Sequence, residues 1–459
     1  MRLAGSIAGA IAKGRGRFMS YPLRPLQVIA VLALVALIAA GCRDSGGDAD
    51  ETEAAGEVRT DTGVTEEPCP DAVNEDHGCI YLGTLSDLTE GPFAALAVPI
   101  TEAQAAFWRR VNEEGGIGDA YDVNVERYTR DNKYNPEIHV QEYQAIQPEI
   151  LALAQTLGTP MTIAGLTFYN RENVVGAPAS WWSGWEFEAN ILESGSNYCL
   201  ESMNAIDYAV DEFGIESVMA VHYPGDYGGD AAAGAEIAAN ERGIEFINAV
   251  ETGPNAVVGS QEAAIGAIVR AQPDLVIVTT GPAEMAEIVG GAAARNFTGK
   301  FIGTEPTWNQ GLLESPAAEA LEALYLATFP WQPFDADTPG HQAMRDTLGD
   351  VTPNEGYTSG WVWSYPLKAA LEAAYEAGDL TREGLVRAAS ELETVDYEGM
   401  LPEEAGRFSG DPNETVFRQH LIVQPDGDAP SGVTVVEDFF VGPTAEAFEF
   451  TEPCASPEG

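Results

Sequence analysis

Residues 79–117, CIYLGTLSDLTEGPFAALAVPITEAQAAFWRRVNEEGGI, constrain this chain more than any other stretch, because a strand, a loop and a helix follow one another there without a spacer. Residues 80–85 form a short apolar run with a β-favouring start, and 86–92 gather the turn residues Ser, Asp, Thr, Gly and Pro. From Val98 onward the apolar positions Ile100, Ala103, Phe107 and Val111 recur at spacings of three and four, which puts them on one helical face; Gly115 and Gly116 supply a stop. Such a unit is the building block of open parallel α/β sheets, whose ligands bind beyond the carboxyl ends of the strands. Ser86, Thr89 and the backbone of 91–94, Phe93 included, are therefore candidate contacts.

Similar units fill the rest of the chain. Residues 121–128 alternate as a strand, 136–147 and 149–157 read as helices, and 160–165, PMTIAG, as a short strand ending in small residues. Small residues at a strand's carboxyl end let a ligand approach the backbone, which makes Thr162, Ala164 and Gly165 candidates. The segment PASWWSGWEF holds Trp181, Trp182 and Trp185, a density of indoles that suits a cleft wall, with Trp182 as the candidate. From Leu200 the pattern restarts: a helix to 213, a strand 217–222, the loop 223–229 and a helix ending at Gly243. Tyr227, before Gly228 and Gly229, stands where a side chain can enter a cleft. A strand 246–250, a helix 261–271, a strand 275–280 ending at Thr280, a helix to 296 and then FIGTE complete this second round. Residues 329–339, rich in Pro and aromatics without period, read as a crossing between lobes. Residues 340–392 are mostly helical, 421–423 and 433–440 read as late strands, and the acidic segment after Val441 is expected to be flexible.

Charge narrows the function. The chain carries 72 acidic and 23 basic side chains, a net −49, and residues 1–41 hold five of the basic ones and none of the acidic, so the remainder stands at 18 against 72, or −54. Nucleic acid, which needs a basic surface, is excluded as a partner. Lysine occurs only at 13, 133, 300 and 368, and the dispersed acidity points to folding in salt, where screening relieves self-repulsion.

The first residues read as an export signal: Arg2, Lys13, Arg15, Arg17 and Arg24 precede an apolar run over 28–40 that is too short to span a bilayer comfortably. Ala39-Ala40-Gly41-Cys42 resembles the lipobox of bacterial lipoproteins, which implies lipidation of Cys42 and an extracytoplasmic protein anchored to the outer face of the cell membrane. Residues 43–70 carry too few large apolar side chains to order themselves and read as a tether. Four cysteines then remain, an even number in an exported chain, with three possible pairings. Cys69 and Cys79 are close in sequence and flank the first strand, so the preferred pairing joins them and leaves Cys199 with Cys454.

A hydrolase would need an activated nucleophile or a metal. Histidines 77, 139, 222, 341 and 420 are scattered, with no HExxH, paired-Cys or GxSxG pattern, and Asp426-Gly427-Asp428 reads as a turn. No catalytic residue, metal or cofactor is expected.

With these segments in order, the chain from about Cys79 to Phe440 resembles the type I periplasmic binding proteins, among them the leucine, isoleucine and valine receptors of ABC transporters. LTEGPFAAL, AAFWRRVNEEGGI, YPGDYGGDAAAGAEIAANERGIEF, FIGTEP and NEGYTSGWVWSYPLKAALEAA carry the resemblance. It implies an α/β fold of two Rossmann-like lobes with parallel central sheets, joined by three hinge crossings that close on a ligand. The expected division is a signal peptide over 1–41, a lipid-anchored acidic linker over 42–76, an N-terminal lobe from 77–199 and 331–405, a C-terminal lobe from 200–330 and 406–450, and a flexible tail over 451–459. The implied function is a monomeric, non-enzymatic solute receptor that serves an ABC permease, with a branched-chain or related amino acid as ligand. A sensor without transport, or a receptor for an amide, urea or carboxylate, is the alternative. By position, Thr162 and Ala164 look like groups that hold a ligand carboxylate, Tyr227 like the tyrosine of the second lobe, and Glu305 like the carboxylate that receives an α-ammonium.

Overall fold

The computed structural model describes residues 58–456, so the expected export signal, Cys42 and the tether up to Glu57 lie outside the described residues. From residue 58 on the expected linker is instead ordered: Arg59–Thr60 pairs with Asp379–Leu380 and Val64–Thr65 with Ile80 and Cys79, backbone pairing that needs no large apolar side chains. The first sheet is built on the buried strand Gly78–Ser86. Tyr121–Asp131 runs parallel along one edge; Ala152–Thr156, also parallel, shares the other with the short antiparallel strand Val64–Thr65. The second sheet has seven strands, in the order Val433–Phe440, His420–Pro425, Tyr325–Phe329, Lys300–Thr304, Leu275–Thr279, Ser217–His222 and Glu245–Glu251. Its five inner-chain strands are parallel, while the two late ones close one edge antiparallel. Both sheets are thus parallel at the centre and mixed at an edge.

The chain makes three passages between the two lobes. It leaves the first sheet after the helix Thr159–Glu172 and enters the second lobe at the helix Tyr198–Phe213. It returns after Tyr325–Phe329 to lay four helices, from Pro339–Leu348 to Arg382–Ser390, against the first lobe, then comes back at His420 to add the last two strands. The helix Ala94–Glu113 buries Leu96, Ile100, Ala103, Phe107 and Val111. Against it lies Glu355–Val362, drawn so close that a Cβ at Gly360 would stand 2.1 Å from the Ile100 carbonyl oxygen and one at Gly356 would stand 2.5 Å from that of Leu96. Only glycine permits this approach.

Two local readings of the sequence are corrected here. Residues 149–157 contain the strand Ala152–Thr156 rather than a helix, and 160–165 belong to the helix Thr159–Glu172 rather than a strand. A short apolar run has no period that separates the two states, and burial of every residue from Ala152 to Thr156 decides for a strand. Gly158, at φ 96°, makes the break, and Pro160 then sits in the first helical turn, where its missing N–H costs nothing.

The cysteines are joined as Cys69–Cys79 and Cys199–Cys454. The second bond changes the reading of the C-terminal segment, expected to be loose: 443–447 form a helical turn, and the following stretch is tied down. Cys454 N donates to Ser183 Oγ at 2.8 Å, Ala455 N to Asp230 Oδ1 at 3.2 Å, and Trp182 Nε1 to Ala455 O at 3.0 Å. Asp230 also accepts from the Ser183 backbone and hydroxyl, so one buried carboxylate binds the tail, a loop of the first lobe's core and a helix of the second lobe together.

Candidate functional site

The carboxyl ends of both sets of parallel strands face one cavity between the lobes, lined by Phe93, Tyr134, Thr159, Trp181, Tyr198, Tyr227, Glu305 and Trp363, with Leu96, Ile100 and Leu157 behind. It is a narrow slot of about 420 Å³ in all, of which about 40 Å³ can seat the centre of a water molecule. The lobes meet around it through aromatic side chains, and the largest apolar core continues from the first lobe into Tyr198, Tyr223 and Tyr227 of the second.

Each wall is positioned by hydrogen bonds that follow from local sequence. In the first loop, Asp87 accepts from Gly91 N at 2.8 Å and Phe93 N at 3.0 Å, while Asp131 accepts from Leu88 N and Thr89 Oγ1. These bonds fold the SDLTEGPF turn so that the Phe93 ring meets Tyr134 and Tyr227. The second wall is the N-terminus of the helix Thr159–Glu172, where the first backbone N–H groups have no intrahelical acceptor. Thr159 there is 1% exposed, and its hydroxyl has no hydrogen-bond partner among the described residues. Trp363 Nε1 is likewise buried without one. From the second lobe, Tyr227 follows Gly225, whose φ of 85° turns the chain into the helix Asp226–Arg242. Its hydroxyl donates to Thr280 O at 3.2 Å and lies 3.2 Å from Thr304 Oγ1.

Glu305 begins the turn after Lys300–Thr304 and is 3% exposed. Loss of water pushes its carboxyl up to about 8, against which a hydrogen bond from Ser359 Oγ works only weakly. Two more buried carboxyls stand behind it. Glu355 is also pushed up to about 8, chiefly by burial and further by the Glu305 charge, and Glu201 is driven up by burial and by the same neighbour. No lysine, arginine or histidine lines the slot among the described residues, so no cation there offsets the burial of the Glu305 carboxyl.

The structure brings Phe93, Tyr227 and Glu305 of the sequence-predicted residues together in the slot. The others lie outside its lining. Ser86 is buried behind it and accepts from Gln155 Nε2 at 2.8 Å; Thr89 is an exposed loop residue bound to Asp131. Thr162 turns inward and donates to Thr156 O at 2.6 Å, and Ala164 and Gly165 occupy the second turn of a helix, not a strand end. Thr280 offers its carbonyl to Tyr227. Trp182 packs on Trp185 and binds the C-terminal segment, whereas its neighbour Trp181 faces the slot. Sequence reasoning missed Thr159, Ser180, Trp181, Tyr134, Tyr198 and Trp363. For Thr159 a signal existed: a hydroxyl residue between Gly158 and Pro160 marks a helix start.

Comparison with known proteins agrees with this architecture. The family model described as periplasmic binding protein matches residues 80–429. A fatty acid ABC transporter substrate-binding protein from Thermomonospora curvata superposes with a TM-score of 0.76 at 25% identity, over 85% of this chain and 97% of that one. A branched-chain amino acid ABC transporter protein from Thermus thermophilus with bound valine gives 0.69 at 17% identity, over 80% and 98%. A solute-binding protein of R. palustris in complex with benzoate gives 0.61 at 15%, over 78% and 96%. No curated protein matches the chain in sequence. No helix among the described residues is long and apolar enough to cross a membrane.

Proposed function

The chain belongs to the type I periplasmic binding protein family of ABC-transporter substrate-binding proteins, and from that premise we propose that it is the extracytoplasmic receptor of an importer, closing on a small carboxylate-bearing solute with an apolar body. An amino acid with an apolar side chain fits best. The observation that carries this is the polarity of one slot: a helix N-terminus with the Thr159 hydroxyl on one wall, which suits a carboxylate, and the Glu305 carboxyl on another, which suits an ammonium. The aromatic and aliphatic surface between them takes the side chain. The protein binds and releases without turnover, as a monomer, held by a lipid on Cys42 at the outer face of the membrane and delivering its ligand to a permease.

The apolar lining also favours a second reading, an apolar monocarboxylate without an amine, in keeping with the fatty-acid and benzoate names of two similar proteins. Thermal-shift measurements with amino acids and with matched carboxylates, on the wild type and Glu305→Gln, separate the two. An amino acid that stabilises only the wild type supports the first reading; a carboxylate that stabilises both forms equally replaces it with the second.

A further inference from the structure

The rings around the slot form a continuous belt. Tyr134 meets Phe93 at 4.9 Å between centroids, Phe93 meets Tyr227 at 5.9 Å, and Tyr227 meets Tyr198 at 4.8 Å. Tyr198 then meets Trp181 at 5.8 Å, and Trp181 meets Trp363 at 4.6 Å. Successive planes are inclined by 53°, 81°, 64°, 80° and 37°, so the rings enclose a space instead of stacking. All six line the slot, and Glu305 is the one acidic or basic side chain that joins them among the described residues.

Hydrogen-bond accounting then discriminates between cations. A primary ammonium brings three N–H donors that need acceptors once buried. The slot offers it one carboxyl, already bonded by Ser359, and the Thr159 and Ser180 hydroxyls, with ring surfaces around them. A methylated ammonium has few or no N–H groups to satisfy, spreads its charge over its methyl groups, and is attracted by ring faces. Aromatic enclosure plus one carboxylate is the chemistry that recognises it. The helix end with the unpartnered Thr159 hydroxyl remains to take an anionic end.

We propose that the preferred ligand is a zwitterion whose cation is an N-methylated ammonium, held in the Tyr134–Phe93–Tyr227–Tyr198–Trp181–Trp363 cage beside Glu305, with its carboxylate at Thr159. This rests on the receptor reading above and replaces its primary-ammonium amino acid with an N-methylated one.

The test uses three probes of one shape class on the purified exported chain. Glycine betaine carries a trimethylammonium and a carboxylate, 3,3-dimethylbutanoate is its uncharged-carbon isostere, and leucine supplies a primary ammonium with an apolar body. Calorimetric titration is expected to show the betaine binding about tenfold or more tighter than either of the others, the desolvated cation–π range. Uniform 5-fluorotryptophan, which drains charge from the indole faces with little change of shape, should weaken the betaine several-fold and leave the isostere unchanged. If the isostere binds as well as the betaine, the rings act only as apolar walls, and the inference falls while the receptor reading stands. Tightest binding of leucine has the same meaning. If none of the three binds, the inference falls, and the receptor reading is decided by the thermal-shift comparison of amino acids and carboxylates above.

Discussion

The Ser359 hydroxyl lies 2.8 Å from the Glu355 carbonyl oxygen and 3.3 Å from a Glu305 carboxyl oxygen, joining a helix of one lobe to the slot-facing end of a strand in the other. Burial pushes this carboxyl up to about 8. An ammonium docked on it favours the ionised form, so binding at pH 7 should expel about 0.9 proton by the titration curve of such a group. Calorimetry of a cationic ligand in two buffers of different ionisation enthalpy measures the number. Glu305→Gln should abolish the release, and proton-free binding by the wild type would remove Glu305 from the cation site.

Stability should depend on pH with a defined sign. Glu305 and Glu355 are pushed up to about 8, and Glu186 and Asp230 to about 7, all chiefly by burial. Between the ordinary carboxyl range and these values the folded chain holds protons that the unfolded chain has lost, so stability falls as pH rises. The melting temperature of the ligand-free protein should therefore drop steadily from about pH 5 to about pH 8 and level off above. Glu355→Gln should flatten the slope; melts at constant ionic strength that rise across this window would contradict the account.

Two threonines of the helix Thr159–Glu172, Thr159 and Thr162, should respond differently. Thr159→Val removes a hydroxyl that faces the slot without a partner, and should cost about tenfold in affinity with little change in melting temperature. Thr162→Val strands the Thr156 carbonyl, which accepts its hydroxyl at 2.6 Å, and should destabilise the fold by about 1–3 kcal/mol while leaving affinity near wild type. Titration and denaturant melts on the same two variants check both halves.

Replacing Cys199 and Cys454 together by serine opens a loop closed across 255 residues and frees the segment bound to Trp182, Ser183 and Asp230. A loss of about 2–5 kcal/mol is expected, read as a lowered urea midpoint. An unchanged midpoint would mean that the carboxylate clamp alone holds the segment.

Salt should stabilise the protein. With a net charge of −49 and four lysines in the whole chain, self-repulsion opposes compaction, and molar NaCl should raise the melting temperature by screening it. Melting scans with NaCl and with an osmotically matched neutral solute distinguish screening from water activity.

The two rounds of βα units were legible because apolar period and turn residues mark them over long windows, as in the helix Ala94–Glu113 and the strand Ser217–His222. The site was legible only where a turn sits against a strand end, as at Phe93, Tyr227 and Glu305. Thr162 was misplaced because a five-residue buried strand and a helix start share one composition, and only Gly158 separates them. Trp181 could not be told from Trp182, since adjacent residues on an irregular loop carry no period; which one faces the slot is set by the Asp230 clamp on Ser183 and the contact of Trp182 with Ala455. Tyr198 and Trp363 reach the slot across chain distances to which local pattern is blind.

The glycine contact between Glu355–Val362 and Ala94–Glu113 has a consequence for biogenesis. The backbone at Leu96 and Ile100 has no counterpart until more than 250 further residues have been made, because Gly356 and Gly360 supply it. The second sheet waits likewise for His420–Pro425 and Val433–Phe440. During synthesis the first lobe waits for the helices up to Arg382–Ser390 and the second for its last two strands, so a nascent chain keeps apolar faces uncovered until its last hundred residues emerge. A version cut after the second passage, near residue 340, would thus yield two incomplete lobes.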